Sequence, residues 1–295
     1  MASVLITGTS KGIGLEAALA FGRAGHTVYA TMRNPSQSPE LAETSAREKL
    51  PVTLWTMDVE SDESVRQAVA AIQKKHGAIE VLVNNAGVER AASVEELPLA
   101  DFRAVMETNY FGAIRCIQAL VPEMRQRRSG CIINVTSIGG RISSAPLTAY
   151  NASKWALEAL SEGLAGEMKT FNVRVAVVEP GIIDTAMARR IGDPAPDSPY
   201  RQRARFAALF TAALKSPAPP SLVAAKILEI AESGTWQLRH PVGPDAIPFL
   251  QWRSRMTDEE WVDLNASDDE TWFRRVKGDF GLDTRPSPAA SERVA

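Results

Sequence analysis

The residues most able to do chemistry are Tyr150 and Lys154, in the run Tyr150-Asn151-Ala152-Ser153-Lys154 near the start of a helical stretch read over Ala149–Thr170. An i, i+4 spacing puts the phenol and the ammonium on one face, one turn apart. A phenol with a pKa of about 10 is a poor acid or base near neutrality, and an adjacent ammonium lowers that value by favouring phenolate. Taken alone, the pair is also what an ordinary amphipathic helix carries. Ser137 adds to it, because it follows the apolar run Cys131-Ile132-Ile133-Asn134-Val135. Parallel sheets assemble their ligand sites at the carboxyl ends of such strands.

A second cluster lies at the amino end. Thr7-Gly8-Thr9-Ser10-Lys11-Gly12-Ile13-Gly14 stands where a first strand turns into a first helix, the place where helix N–H groups can meet a diphosphate. The spacing is G-x-x-x-G-x-G, and such a turn can also be purely structural. About 20 residues further on, an acidic side chain would take the ribose diol of NAD and a basic one the 2′-phosphate of NADP. Here the chain reads Tyr29-Ala30-Thr31-Met32-Arg33-Asn34, with no Asp or Glu between Glu16 and Glu40. Arg33 offers a planar fork and Lys11 a second cation, which favours NADP(H). The alternative is that both are solvated surface charges.

The elements that must position these groups alternate regularly. Val4–Ile6, Thr27–Thr31, Val52–Met57, Val81–Asn84, Cys131–Val135 and Val173–Val178 read as strands. Helices are read at Gly12–Ala24, Asp62–Lys75, Asn109–Arg127 and Ala149–Thr170. Wholly apolar strands separated by helices imply an α/β fold, a Rossmann-type doubly wound parallel sheet covered on both faces. After Pro180-Gly181 a Pro- and Gly-rich stretch, Gly192–Pro199, reads as a mobile loop. Helices at Tyr200–Leu214 and Leu222–Glu232 and a seventh strand at Trp236–Arg239 follow. Residues 1–240 thus form one domain, with a substrate loop over 181–220. Residues 241–295 form a C-terminal extension, in which Pro241, Pro244 and Pro248 break the rhythm and Asp258–Asn265 adds a helix. A polar, disordered tail is expected from Thr284.

Composition narrows the functions. With 33 Lys plus Arg against 35 Asp plus Glu, the 295-residue chain carries a net charge of −2, so nucleic acid is not an expected partner. Cys116 and Cys131 form no C-x-x-C. His26, His76 and His240 lie far apart and give no metal-ligand spacing. No stretch approaches the roughly 20 apolar residues of a membrane span, and no signal segment opens the chain, so a cytoplasmic protein is expected.

Taken together, Thr7–Gly14, Asp58-Val59, Asn84-Asn85-Ala86-Gly87, Asn109 in T-N-Y, Ser137, Tyr150 with Lys154, and Pro180-Gly181 with Thr185 resemble the short-chain dehydrogenase/reductase family, in its single-domain branch. The resemblance runs from about Val4 to Arg239. It implies hydride transfer between NADP(H) and a carbonyl or alcohol. Tyr150 is then the proton donor, Ser137 the holder of the substrate oxygen, Lys154 the ligand of the nicotinamide ribose that depresses the tyrosine pKa, and Asn109 the support of a water-mediated proton relay. Gly8, Ser10, Lys11, Gly12, Ile13 and Gly14 would surround the diphosphate and adenosine phosphate, and Asp58 and Val59 would meet adenine. Asn85, Ala86 and Gly87 would line the ribose, and Pro180, Gly181, Ile183 and Thr185 would position the nicotinamide. Asn84 is read as a bracket between strands. The rival reading, an NADP(H)-binding sensor without turnover, is weakened because such relatives lose the tyrosine or lysine.

Substrate is expected on Ser137, Ile138, Leu147, Tyr150, Ile182 and Met187. Val88, Ile142, Phe206, Leu209 and Phe210 add further apolar wall, so a hydrophobic ketone or aldehyde and its alcohol fit best. The second-strand segment and the extension are similar to the branch of estradiol and retinol dehydrogenases. Trp252, Trp261 and Trp272 are read as anchors of a surface-packed helix rather than a cover over the substrate mouth. The resemblance also implies a homodimer or homotetramer through Asn109–Arg127 and Ala149–Thr170.

Overall fold

The computed structural model describes residues 1–192 and 198–285. Seven strands form one parallel sheet: β1 Ser3–Thr7, β2 Thr27–Met32, β3 Val52–Thr56, β4 Val81–Asn84, β5 Gly130–Val135, β6 Val173–Pro180 and β7 Arg239–Val242. They lie in the order β3-β2-β1-β4-β5-β6-β7. The order reverses between β1 and β4, and that switch point opens a crevice above the strands' carboxyl ends.

One face of the sheet is covered by α1 (Gly12–Arg23), with α2 (Pro39–Arg47) at its edge; Leu15, Ala18 and Phe21 of α1 are buried there. The other face carries α3 (Asp62–His76), and beyond it α4 (Leu99–Met106) leads into α5 (Gly112–Arg127) and α6 (Thr148–Lys169). Val65, Ile72, Leu120, Met124 and Leu164 form its core. Local chemistry sets the ends. Ser61 caps α3 by accepting from Ser64 N, acidic Asp62 and Glu63 stand in its first turn, and Lys74, Lys75 and His76 in its last. After β6 come α7 (Ala186–Ile191), α8 (Gln202–Ala213) and α9 (Pro220–Ser233). Val223, Ile227 and Ile230 of α9 complete the α1 layer.

Three expectations shift. The helix read from Asn109 starts earlier, as α4. It passes through a widened π turn at Glu107–Phe111 before α5, which places Asn109 inside the turn. The seventh strand is Arg239–Val242 rather than Trp236–Arg239. It runs through Pro241, which an edge strand tolerates because the proline's missing N–H costs no ladder bond on the outer side. The prolines do not keep the extension irregular: α10 (Ala246–Ser254) carries Pro248 in its first turn, where N–H groups lack helical partners anyway. α11 (Asp258–Ala266) opens on a Thr257–Glu260 capping box, and α12 (Asp269–Phe280), absent from the sequence reading, is capped by Asp268.

These three helices meet the domain through a separate apolar cluster of Ile142, Leu209, Phe249, Trp272 and Val276. The expected loop falls largely at 193–197 and the expected tail at 286–295, outside the described residues. Thr284 itself is buried. Among the described residues, no helix is long and apolar enough to cross a membrane, and no group of three or more His, Cys, Asp or Glu is placed to hold a metal ion.

Candidate active site

A cavity of about 660 Å³ lies over the carboxyl ends of the central strands. Ser137 leaves β5 and heads a 3-10 turn, Ile138–Gly140, accepting from Gly139 N at 3.0 Å. Tyr150 is the third residue of α6, and its side chain lines the same cavity as Ser137. Lys154, one turn on, is 4% exposed. It donates from Nζ to the Val135 carbonyl at 3.0 Å and lies 5.6 Å from the centre of the Tyr150 ring.

Burial pushes the Tyr150 phenol up to about 12; the nearby Ser137 hydroxyl opposes this, and the charge of Glu89 adds to it. Burial likewise brings Lys154 down to about 8, against the pull of Glu158. The phenol therefore keeps its proton at neutral pH. The Asn109 side chain holds a neighbouring turn. Its Oδ1 accepts from Val88 N at 2.8 Å, and its Nδ2 donates to Val88 O and Ser153 Oγ, both at 2.9 Å. The amide is thus spent on clamping the Asn85–Val88 turn and does not line the cavity.

At the other end, Gly8, Ser10, Lys11, Gly12 and Ile13 line the wall with Arg33, Asp58 and Val59. Gly8 has φ +70, and a Cβ there would come 2.7 Å from the Ala86 backbone. The turn is stapled to β4. Thr7 Oγ1 accepts from Asn85 N at 3.0 Å and Ala86 N at 2.9 Å, and Asn85 Nδ2 donates to Thr7 O at 2.9 Å. Gly14 does not line the cavity: a side chain there would overlap the Gly8 carbonyl, so it is a packing glycine. Asn84 is the bracket expected of it, donating to Asn134 Oδ1 at 2.9 Å. The first turn of α1 has no side-chain cap and no acidic residue. Among the described residues, no carboxylate pairs with Lys11 or Arg33, both exposed. Open N–H groups, a close-approach glycine and two uncommitted cations fit a phosphate-bearing dinucleotide.

Ala86, Gly87, Pro180, Gly181, Ile183 and Thr185 line the middle of the cavity. Ile138, Leu147, Ile182 and Met187 line the far end, with Val88, Ile142, Phe206, Leu209 and Phe210. Trp252, Trp261 and Trp272 join this wall, so the extension covers the mouth as well as packing on the domain. Their reading as anchors alone is corrected. Trp261 Nε1 donates to Ser143 O at 2.9 Å, tying α11 to the loop before α6. Buried Arg205 of α8 bonds Asp269 at 2.6 Å and Ser267 O at 2.6 Å. Sequence reasoning also missed Asp245, whose Oδ2 accepts from Ile182 N at 2.8 Å. It sits in the Gly-Pro-Asp run after β7, and no local pattern points from there to the Pro180 turn.

A doubly wound sheet with a Ser–Tyr–Lys cluster in the cavity over its switch point and a glycine turn beside it defines a nucleotide-dependent oxidoreductase. The chain belongs to the short chain dehydrogenase family, whose model matches residues 2–195. It is 36% identical over 269 residues to Oxidoreductase BOA17 of Botryotinia fuckeliana, covering 88% of this chain and 96% of that one. It is 43% identical over 188 residues to Retinol dehydrogenase 8 of Bos taurus, covering 62% of this chain and 59% of that one. The crystal structure of a short-chain dehydrogenase from Streptomyces avermitilis superimposes with a TM-score of 0.76 at 33% identity, over 91% of this chain and 98% of the other.

Proposed function

We propose that the protein is an NADP(H)-dependent reductase of hydrophobic ketones or aldehydes, working in reverse on the corresponding alcohols. The observation that carries this reading is the meeting of Ser137, Tyr150 and Lys154 on the wall of one cavity that also holds Gly8, Lys11 and Arg33. The nicotinamide supplies the hydride when bound. Ser137 and Tyr150 hold the substrate oxygen between two hydroxyls. As charge develops on that oxygen, Tyr150 gives its proton. Lys154, buried between Val135 and Gly87, orients the nicotinamide ribose, and Arg33 with Lys11 takes the 2′-phosphate. Asn109 acts at one remove by keeping the Asn85–Val88 turn in place. The apolar part of the wall suits an uncharged substrate, because Arg90, Arg190 and Arg205, which share the lining, are each paired with a carboxylate. A relative named for retinol, an apolar alcohol, supports the same class of substrate.

Self-association through α5 and α6 is part of the same reading. It is supported by the exposed rings of Trp155 on α6 and Phe111 just before α5. The test follows NADPH oxidation by absorbance with steroid, aromatic and aliphatic ketones, with NADH and Tyr150→Phe alongside. Turnover that prefers NADPH and vanishes in the variant is expected. NADPH binding without turnover on any of these carbonyls, or their alcohols in reverse, overturns the reading in favour of a sensor.

A further inference from the structure

The last two residues before Ser137 are each held by a side chain of α6. Lys154 Nζ donates to Val135 O at 3.0 Å, and Thr136 Oγ1 donates to Glu158 Oε1 at 2.6 Å. Lys154 and Glu158 are four residues apart, so they share a helix face. The turn after Ser137 presses on both: a Cβ on Gly140 would lie 2.9 Å from Glu158 Cγ and 3.1 Å from the Lys154 carbonyl oxygen.

Glu158 is 3% exposed and does not line the cavity. Its Oε2 accepts from Arg239 Nε, at the start of β7, at 2.9 Å. Arg239 also reaches Glu162 at 2.7 Å and stands 3.9 Å from Glu179 Oε1 on β6. Glu179 in turn accepts from Arg141 at 3.1 Å. The groups facing Glu158 are therefore Lys154 and Glu162 on its own helix, Thr136 from β5, Glu179 from β6, Arg239 from β7 and Arg141 after the 3-10 turn. Those facing Lys154 are Tyr150 and Glu158 on α6 and the carbonyl of Val135, with Glu89 beside Tyr150.

The geometry points to Glu158 as a positioning residue for the reaction proposed above, the counter-charge of Lys154 that also fixes Thr136 and hence Ser137, with Arg239 competing for its charge. This inference rests on that functional reading. An ammonium in so dry a place loses its proton easily, and Glu158 is the group that opposes the loss. A neutral amine would make weaker bonds to ribose hydroxyls.

The two variants separate this role from a structural one, because they must act in opposite directions. NADPH affinity of the full-length protein is measured by quenching of tryptophan fluorescence from neutral to strongly alkaline pH. Melting temperature confirms that each variant is folded. In Glu158→Gln the alkaline loss of affinity moves to lower pH by about one unit, and in Arg239→Gln it moves to higher pH. Profiles that coincide with the wild type, or that move in the same direction in both variants, overturn the inference. If Glu158→Gln does not fold, the upward movement in Arg239→Gln decides alone. A wild type that binds NADPH and turns over through Tyr150 keeps the functional reading intact whatever the variants do. A wild type that does not bind NADPH removes both.

Discussion

Asp245 accepts a hydrogen bond from the backbone N–H of Ile182 at 2.8 Å, and its carboxylate fills the space that a Cβ on Gly181 would need. One side chain of the extension thereby fixes the turn that follows β6. Its other oxygen, Oδ1, is buried with no partner among the described residues, and burial pushes its carboxyl above the usual aspartate value of 3.8. For an acid raised in the fold, the stabilising contribution is full below 3.8 and is lost as pH rises through the raised value. Asp245→Asn keeps an acceptor and removes the charge, so its melting temperature should lack that part of the wild-type decline. Asp245→Ala should lose about 1–3 kcal/mol at all pH values. Parallel pH–stability curves for wild type and Asp245→Asn would show that the carboxyl is not the cause.

The parts of this site that the sequence displays are those built from neighbours in the chain. Thr7–Gly14 is one turn, Tyr150 and Lys154 are one helix face, and the central strands are mostly apolar because both sides are covered, with Ile132 and Ile133 fully buried. What stays hidden is long-range pairing. Asp245 lies 63 residues from Ile182, and Arg239 lies 81 from Glu158. Their partners are chosen by how β6, β7 and α6 stack, and neither leaves a periodic trace. The shifted seventh strand has the same origin. Pro241 reads as a breaker by itself, and only its place at the sheet edge makes it acceptable. Spacing likewise reports the proximity of Lys154 to Tyr150 and says nothing of how dry Lys154 is.

The protonated phenol makes the contribution of Tyr150 separable from binding. Tyr150→Phe should reduce turnover of a ketone substrate by about 10²–10⁴-fold while leaving the dissociation constant for NADPH within a factor of a few. Ser137→Ala removes the second hydroxyl proposed to hold the substrate oxygen, and should also lower kcat. Stopped-flow single-turnover rates check this directly. A Tyr150→Phe protein that reduces ketones at the wild-type rate would exclude the proposed acid.

On the proposed reading cofactor choice rests on Arg33, exposed at the cavity edge with no carboxylate paired to it among the described residues. A guanidinium on a phosphate makes charge-assisted, often bidentate bonds, so its reversal should be felt only by the cofactor that carries the 2′-phosphate. Arg33→Asp is expected to raise KM for NADPH about tenfold or more and to leave KM for NADH unchanged or lower. Steady-state kinetics with both cofactors decide. Equal changes would mean that Arg33 does not read the 2′ position and that Lys11 or the glycine turn carries the preference.

On the proposed reading the tryptophans of the extension set the size of the substrate. Trp252 and Trp261 pack edge to face with ring centres 5.4 Å apart; Trp261 is pinned to Ser143 O and Trp252 to Asp279. Both rings line the substrate end of the cavity, on elements that carry none of the residues placed at the glycine turn. Trp261→Ala should therefore widen that end and release the loop before α6. Its effect should fall on bulky substrates that touch the ring: KM for a large apolar ketone is expected to rise about 10–100-fold, with KM for NADPH unchanged. Trp261→Phe, which keeps an apolar ring but loses the bond to Ser143, should show a smaller rise. Comparing a large and a small ketone in all three proteins separates the two contributions. If KM for the large ketone is the same in wild type and Trp261→Ala, the wall does not touch substrate, and the tryptophans act only as the fastening of the extension.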